Sequence, residues 1–569
     1  MANGYVKVDG RTIVLSEGMT VLDAVKKAGI NLPTFCYQPE LTPFGSCRMC
    51  MVEIEGRGAM PACSTPAADG MDITTDTPRL RRLRRIIIEL LLASHSDNCP
   101  TCPKSGSCKL LSVSRSLGVE HTRYKHVAKQ AMPDRSSPGV FRDNTKCILC
   151  GNCVRVCNEI QSVGALSFMG RGTGASIVAG CRENLGDTSC VGCGQCIKVC
   201  PVGALSVHTS VSGVWNAIGE KDKLVVVQVA PAVNVALGES FGLGAGEIVS
   251  GKIAAALRRL GFDRVYDTAF AADLTVIEEG NEFLRRLESG DALPQFTSCC
   301  PAWVKFAEQS YPDMLGNLSS CRSPQQMFGA LCKESIMRET GRRREDIVVV
   351  SVMPCTAKKL EIARPELSHE GTPDVDFVIT TTELADMIRY RGLSFSALEG
   401  EEFDDPFGRK SGAGIIFGAS GGVTEAVLRY AAAKLGAEKI EVRETRPEPW
   451  LRVLEGSAGG RLLRIAVVSG LGNTRRLIEK IRTGRERFDL VEVMACCGGC
   501  VSGGGQPVRE DVSDTAERRT EGLMLFDKLL DEHSSEKNEA LMSLYSGILA
   551  DEHTRHELLH TVYHERETR

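Results

Sequence analysis

The chain has 569 residues, 24 of them cysteine, and a formal net charge of −4; that length allows about four domains of ~150 residues, and the near-balanced charge gives no case for nucleic acid. So many thiols exceed what an ordinary reduced enzyme carries, yet they are too sparse for a small disulfide scaffold. No secretion signal stands in the first 30 residues, so a cytoplasmic protein whose clustered cysteines hold metal is expected.

In chain order, Val6 and Val8, residues 12–15 and an amphipathic turn at 20–28 predict short strands around one helix. Cys36, Cys47, Cys50 and Cys63 follow at spacing C-x10-C-x2-C-x12-C, a close pair on a tight loop with two outliers. That suits a [2Fe-2S] cluster, although four thiolates also suit zinc. Residues 80–93 predict a helix flanked and studded by Arg79, Arg81, Arg82, Arg84 and Arg85, read as a solvated face rather than as a docking face for an acidic carrier. Its apolar run at 86–93 is far short of the roughly 20 residues that span a bilayer, so no membrane segment is expected. His95, Cys99, Cys102 and Cys108 come next, and one imidazole with three thiolates can close a [4Fe-4S] cluster. His121 lacks the offset that makes His95 a ligand candidate.

An internal repeat, C-x2-C-x2-C-x3-C twice, is the strongest local signal, and it is the two-cluster bacterial ferredoxin pattern. Three cysteines of each run cover three corners of a cube and the fourth reaches the partner. Cys147, Cys150, Cys153 and Cys200 should therefore hold one [4Fe-4S] cluster, and Cys190, Cys193, Cys196 and Cys157 the other. The first copy has Asn158 where the second has Pro201, plus four inserted residues, which alters the bend and not the ligands. Cys181 fits neither run and is read as a packed thiol.

After residue 210, apolar runs alternate with helical patterns, which predicts largely parallel sheet with helical crossovers. Runs at 224–229, 347–352 and 490–494 stop at Ala230-Pro231, Met353-Pro354-Cys355 and just before Cys496. Ligands gather outside the carboxyl ends of parallel strands, so these ends and a cysteine loop at Cys299-Cys300 point to one crevice between two sheet lobes. Gly246 to Lys252 matches GxxxxGK, but Ile253 stands where a hydroxyl should bind magnesium, and no strand leads in. The last sixty or so residues are helical and charged without a ligand pattern, and are read as an outer wrap.

Phe35-Cys36-Tyr37-Gln38-Pro39-Glu40-Leu41 resembles the ferredoxin-like start of complex I and hydrogenase subunits, and the His95 set resembles the His-ligated cluster of the same families. Thr297-Ser298-Cys299-Cys300-Pro301, Met353-Pro354-Cys355-Thr356-Ala357-Lys358-Lys359 and the stretch from Glu492 to Pro507, with Cys496-Cys497-Gly498-Gly499-Cys500 inside it, closely resemble the three signatures of [FeFe]-hydrogenases of the clostridial monomeric type. The resemblance implies reversible conversion of 2 H⁺ and 2 e⁻ to H₂ at an H-cluster: a [4Fe-4S] cube joined to a two-iron subcluster with CO, CN and azadithiolate ligands. It implies that Cys300, Cys355 and Cys496 bind the cube and that Cys500 binds it and bridges. Lys358 would donate to a cyanide, with Ala230, Pro231, Gln325, Met353, Phe417 and Met494 as pocket walls. A hydroxyl found in some relatives at the position of Ala232 is absent here. A proton route would run from the surface through Arg286, Glu282, Ser319 and Glu279 to Cys299; the i, i+3, i+7 spacing of the charged three, taken alone, describes an ordinary solvated helix face. Cys497 creates a competing C-x2-C register with Cys500, against the family's C-x3-C; Cys321 and Cys332 have no assigned role.

The expected fold is α/β multidomain: a β-grasp [2Fe-2S] ferredoxin-like domain at 1–80, a helical [4Fe-4S] domain with one His and three Cys ligands at 81–125, a bacterial-type two-[4Fe-4S] ferredoxin domain at 126–209, a two-lobed catalytic α/β domain at 210–515 and a helical C-terminal wrap at 516–569. Three accessory [4Fe-4S] clusters and one [2Fe-2S] would pass electrons to or from ferredoxin or a similar carrier. Maturation enzymes would supply the two-iron unit, and the chain would be a monomer. An iron–sulfur assembly relative and an electron-transfer subunit are the competing classes. Cys299, Lys358 and the intact third signature argue against the first, and the three signatures stand where the second would bind a pterin.

Overall fold

The structure is a computed structural model that describes residues 4–96, 98–127, 131–180, 184–434, 442–458, 461–508 and 514–567; Cys181 lies outside them. Strands Tyr5–Val8, Arg11–Val14, Met51–Ile54, Gly58–Pro61 and Asp72–Thr74 form one five-stranded sheet, the first running parallel to the last. The helix Val21–Lys27 starts at a capping box between Thr20 and Asp23 and packs Val21, Leu22 and Val25 against Val6, Val8 and Val52. This is the β-grasp arrangement expected.

The next helix is Pro78–Ala93, capped by the Thr77 hydroxyl, which accepts from Leu80 N. One of its arginines corrects the solvated-face reading. Leu80, Arg84 and Ile88 share the i, i+4, i+8 stripe and all are buried. Arg84 donates to the carbonyls of Met49, Met51 and Thr75, fastening the helix to the first sheet.

Two short antiparallel ladders, Val140–Arg142 with Leu205–Val207 and Leu166–Met169 with Ser176–Ala179, frame the repeat. In the first copy the helix Asn152–Arg155 continues as a wider turn over Val156–Ile160; in the second, Gln195–Lys198 stops before Pro201. Proline cannot extend a helix, so Asn158 permits what Pro201 forbids.

The large domain holds two sheets. One is four-stranded and wholly parallel, ordered Arg264–Asp267, Leu224–Val229, Ile347–Met353, Phe377–Thr380. Ile347–Met353 is fully buried, as a β-branched run covered on both faces must be. The other sheet, ordered Gln295–Phe296, Leu490–Met494, Arg461–Ser469, Leu451–Ala458, Val442–Glu448, ends in an antiparallel hairpin that the parallel expectation did not include. The 22-residue helix Thr268–Ser289, capped by Asp267 and closed by Gly290 at φ +75°, is buried along most of its length. Lys252 donates to the carbonyls of Ser396 and Leu398, in keeping with dismissal of the phosphate-loop motif. Helices Thr515–Leu529, Glu539–Ser546 and Glu552–Leu559 form the C-terminal segment. Among the described residues, no helix is long and apolar enough to cross a membrane.

Candidate active site

Four parallel strand ends deliver the signatures to one place. Leu224–Val229 leads into Ala230 and Pro231, Ile347–Met353 into Pro354 and Cys355, Leu490–Met494 into Ala495 and Cys496, and Gln295–Phe296 into Cys299 and Cys300. Between them lies a cavity of about 80 Å³, several times the ~10–15 Å³ that one water needs. Cys300, Cys355, Cys496 and Cys500 line it, together with Ala230, Pro231, Gln325, Met353, Phe417, Met494, Lys358 and Cys299. Cys497 is not among the lining residues. Gly498 and Gly499, at φ +86° and +88°, turn the chain between Cys496 and Cys500, and a Cβ on Gly499 would lie 2.6 Å from Ser420 N. Four converging thiols in apolar walls are a soft donor set that suits an iron–sulfur cluster.

One ammonium reaches this apolar space. Lys358 Nζ donates to Cys299 O at 3.2 Å and to Glu361 Oε2 at 3.0 Å, and Gln325 Nε2 donates to the same oxygen at 2.9 Å. Burial works to lower the Lys358 pKa, but the Glu361 carboxylate outweighs it and the net shift is upward. Glu361 was missed by sequence reasoning; its i, i+3 spacing from Lys358 was the available signal. The Ala232 carbonyl accepts from Gln506 Nε2 at 2.9 Å.

The five residues of the expected proton route gather on one side of the cavity. Arg286 donates to Glu282 at 2.5 Å, and the Ser319 hydroxyl donates to Glu282 Oε2 at 3.0 Å. Glu279 is fully buried and its carboxyl oxygens make no hydrogen bond of ordinary geometry among the described residues, although the Ser319 hydroxyl and the Ser298 N–H lie close enough to favour its charged form. Burial, then the charge of Glu282, pushes its pKa up to about 8. The Cys299 thiol is raised well above its ordinary value by burial and then by Glu279. The C-terminal segment also reaches this region. His560 Nδ1 lies 2.9 Å from Ser320 Oγ, whose hydroxyl donates to Glu282, and His560 Nε2 lies 3.2 Å from Glu278. Cys321 is buried with Sγ 3.9 Å from Glu282 Oε2. Arg519 pairs with Glu239 and donates to the carbonyls of Val501 and Pro507, bracing the glycine-rich loop. The helical C-terminal segment thus also sends His560 and Arg519 inward, which periodicity does not reveal: it shows which faces are polar, but not that a lone His or Arg turns inward.

The two four-cysteine sets of the repeat separate as the spacing predicts. One cavity is lined by Cys147, Cys150, Cys153 and Cys200, another by Cys157, Cys190, Cys193 and Cys196. The second adjoins the large domain: Gln195 Nε2 is 3.0 Å from Cys496 Sγ, and Thr356 Oγ1 donates to Gly192 O at 2.7 Å. Gly504 packs so closely here that a Cβ would lie 2.6 Å from Gly194 Cα. At the first cavity two further cysteine sites meet. Asn152 donates to Phe35 O and Arg155 to Cys36 O, beside the Cys36–Cys47 pair whose sulfurs are 3.4 Å apart. Cys50 and Cys63 are buried in the same domain, with Cys63 N donating to Cys50 Sγ at 3.4 Å. On the other side Lys109 N donates to Pro201 O, and Gly203 lies against Cys102 Sγ. His95 is buried, Cys102 and Cys108 are half-buried and Cys99 is exposed.

Comparison with known proteins agrees with this arrangement. Residues 223–504 match the family described as "Iron only hydrogenase large subunit, C-terminal domain" and residues 513–566 "Iron hydrogenase small subunit". The chain is 44% identical to the "NADP-reducing hydrogenase subunit HndD" of Solidesulfovibrio fructosivorans over 99% of each chain. The chain belongs to the [FeFe]-hydrogenase family. It is also 37% identical to "Iron hydrogenase 1" of Clostridium pasteurianum over 98% of this chain and 99% of that one. An apo [FeFe]-hydrogenase structure from Chlamydomonas reinhardtii aligns with TM-score 0.57 and 37% identity, covering 63% of this chain and 99% of that one. Ahead of the hydrogenase region, residues 5–78 match a "2Fe-2S iron-sulfur cluster binding domain", 84–123 an "NADH-ubiquinone oxidoreductase-G iron-sulfur binding region" and 146–204 a "4Fe-4S dicluster domain". This [FeFe]-hydrogenase catalyses 2 H⁺ + 2 e⁻ ⇌ H₂, with accessory iron–sulfur domains as its electron path.

Proposed function

We propose that Cys300, Cys355 and Cys496 hold the cube of the H-cluster, and that Cys500 both binds it and bridges to the two-iron subcluster. The observation that carries this is the cavity itself, lined by those four sulfurs and not by Cys497. When bound, the H-cluster supplies the chemistry that splits or forms H₂ and exchanges electrons with the wire. Lys358, held by Glu361, places a positive charge at the cavity wall, where Met353, Met494, Phe417, Ala230 and Pro231 exclude water and Gln325 is oriented by the same carboxylate. Cys299 Sγ holds the proton nearest the cavity, because burial disfavours its thiolate. Glu279, whose pKa of about 8 lies near neutrality, takes and returns that proton. Ser319 and Glu282 carry it onward toward the surface, where Arg286, the route residue with the most solvent access, stays charged and holds the Glu282 carboxylate in place by its ion pair.

One [2Fe-2S] at Cys36, Cys47, Cys50 and Cys63 and three accessory [4Fe-4S] clusters complete the wire, the first at His95, Cys99, Cys102 and Cys108 and the others at the two cysteine sets of the repeat. Domain limits at 1–80, 81–125, 126–209, 210–515 and 516–569 belong to the same proposal. So do a ferredoxin-type carrier, maturation enzymes, a cytoplasmic setting and a monomeric chain. A second reading has its own support: a relative matched end to end is named as a subunit of an NADP-reducing hydrogenase, so this chain can work as the H₂-converting subunit of a nicotinamide-linked assembly. Iron analysis with EPR tests the cluster assignment. The matured chain should hold about twenty irons, and Cys153→Ser and Cys193→Ser should perturb different [4Fe-4S] signals; loss of the same signal in both would overturn the two ligand sets.

A further inference from the structure

Among the described residues, one cluster of metal-binding side chains lies apart from the cysteine sites of the wire. Glu282, Cys321 and His560 are all buried, and one donor atom from each, a carboxylate oxygen, the thiol sulfur and a ring nitrogen, lies within 4.8 Å of the other two. They come from three separate elements. Glu282 sits in the Thr268–Ser289 helix, Cys321 precedes the Pro324–Thr340 helix, and His560 follows the Glu552–Leu559 helix. Backbone holds the last two opposite each other: Arg322 N donates to Leu559 O and Thr561 N to Ser320 O, both at 2.8 Å, so Cys321 and His560 face one another in an antiparallel bridge. Facing residues in such a bridge carry their side chains close together. Tyr563 fastens the bridge by donating to the carbonyls of Ser319 and Cys321.

The histidine is oriented as a ligand. Its Nε2 lies 3.2 Å from Glu278 Oε2, and a carboxylate that accepts from Nε2–H fixes the tautomer that leaves Nδ1 as a lone pair, the usual outer arrangement of a metal-binding histidine. Nδ1 lies 2.9 Å from Ser320 Oγ, but the single hydroxyl proton there goes to Glu282. The Nδ1 lone pair is thus left without a proton from Ser320. The other two donors are spaced for a small cation. Arg286 pairs with Glu282 through Oε1 and leaves Oε2 toward Cys321, whose Sγ is 3.9 Å away. Zinc bonds of about 2.1 Å to oxygen and about 2.3 Å to sulfur, spread tetrahedrally, put two such donors about 3.6 Å apart, so only a few tenths of an ångström of closure is needed.

We propose that Glu282, Cys321 and His560 form a binding site for a thiol-seeking divalent cation of the Zn²⁺ class, with water as fourth ligand, and that its binding stops proton transfer. One sulfur, one nitrogen and one oxygen make a zinc-type donor set. On binding, the Cys321 thiol gives its proton to solvent and the sulfur bonds to the metal. Glu282 Oε2 is also the oxygen that accepts from the Ser319 hydroxyl at 3.0 Å, so a cation there removes the link between Ser319 and Glu282. Arg286, whose side chain is 15% exposed, and half-buried Ser320 set the site beside solvent. The blocking half of the proposal rests on the proton-route reading; the binding half does not.

The test adds zinc chloride alone to the full matured chain. Bound zinc and iron are counted by mass spectrometry, the zinc shell is read by X-ray absorption at the zinc edge, and turnover is followed with methyl viologen as a small dye. The parent should keep its iron and hold zinc in a shell of one sulfur at about 2.3 Å with nitrogen and oxygen neighbours at about 2.0–2.2 Å. Dye-linked turnover should fall at least roughly 10²-fold, the low end of what positioned proton transfer contributes, and a chelator should restore it. Glu278→Gln should weaken zinc binding about 10–100-fold, and Cys321→Ser should weaken it further and remove the sulfur from the shell, each variant's inhibition being measured against its own zinc-free rate. Equal zinc affinity in the parent and both variants, or a shell of three or four sulfurs with loss of iron, overturns the site. The shell is read on the parent, so it decides the site even where a variant fails to fold. Zinc held in the mixed shell with turnover at the zinc-free rate overturns the block, and with it the place of Glu282 in the proton route, while the site itself stands.

Discussion

Gln195 Nε2 lies 3.0 Å from Cys496 Sγ, so a side chain from the second ferredoxin-type loop donates to a sulfur of the central cavity. Its amide also donates to Ser502 O at 3.1 Å, and Lys198 Nζ reaches the same carbonyl at 2.8 Å. The last accessory site and the active site therefore share hydrogen bonds as well as van der Waals contact. A donor to a ligand sulfur favours the more electron-rich state. Gln195→Leu should leave the clusters assembled and lower the potential of the cavity cluster by roughly 40 mV, the one-electron equivalent of a ~1 kcal/mol hydrogen bond. An EPR-monitored redox titration with no shift would remove Gln195 from the wire.

Glu279 gives a stability signature with a definite sign. Its pKa is raised in the folded chain to about 8, by burial first and then by Glu282, so its contribution is fully present below the ordinary carboxylate range near 4.5 and is lost as pH rises through about 8. Glu279→Gln, which cannot ionise, should resist that loss: its Tm should gain on the parent as pH rises across this window. Parallel Tm profiles would contradict the raised pKa.

The relay separates from its supports by magnitude. Cys299→Ala should leave the H-cluster assembled and lower turnover by about 10²–10⁴-fold, the usual span of a positioned proton donor. His560→Ala should cost about 1–3 kcal/mol of stability by leaving Glu278 and Ser320 short of a partner, with less than a tenfold loss of turnover, because Arg286, Glu282 and Ser319 remain connected. Near-normal hydrogen evolution from the Cys299 variant would refute the relay; equal losses from both would move His560 into it.

Arg84 tests how the first domain is attached. Arg84→Ala strands the carbonyls of Met49, Met51 and Thr75, at about 1–3 kcal/mol for each that stays buried. Limited proteolysis should release the [2Fe-2S] end earlier than in the parent, with dye-linked turnover retained; an unchanged cleavage pattern would contradict the fastening role.

Much of this molecule was legible because metal sites impose spacing. The two repeat copies sorted their eight cysteines by local pattern alone, and the cavities repeat that division. The convergence of Ala230, Cys355 and Cys496 followed from where apolar runs stop, a property of parallel strands. What could not be read were pairings across long separations. His560 meets Glu278 across 282 positions and Gln195 meets Cys496 across 301, and no periodicity records either. Arg84 was misread for a different reason: an arginine on every side of a helix conceals the one that shares a stripe with Leu80 and Ile88.

The central claim is that Cys300, Cys355, Cys496 and Cys500 hold an H-cluster, and its ligands have an infrared signature that protein groups lack. The matured chain should show CO and CN stretching bands, and Cys500→Ser should lose them while the accessory clusters keep their EPR signals. A fully matured sample with no such bands would contradict the assignment.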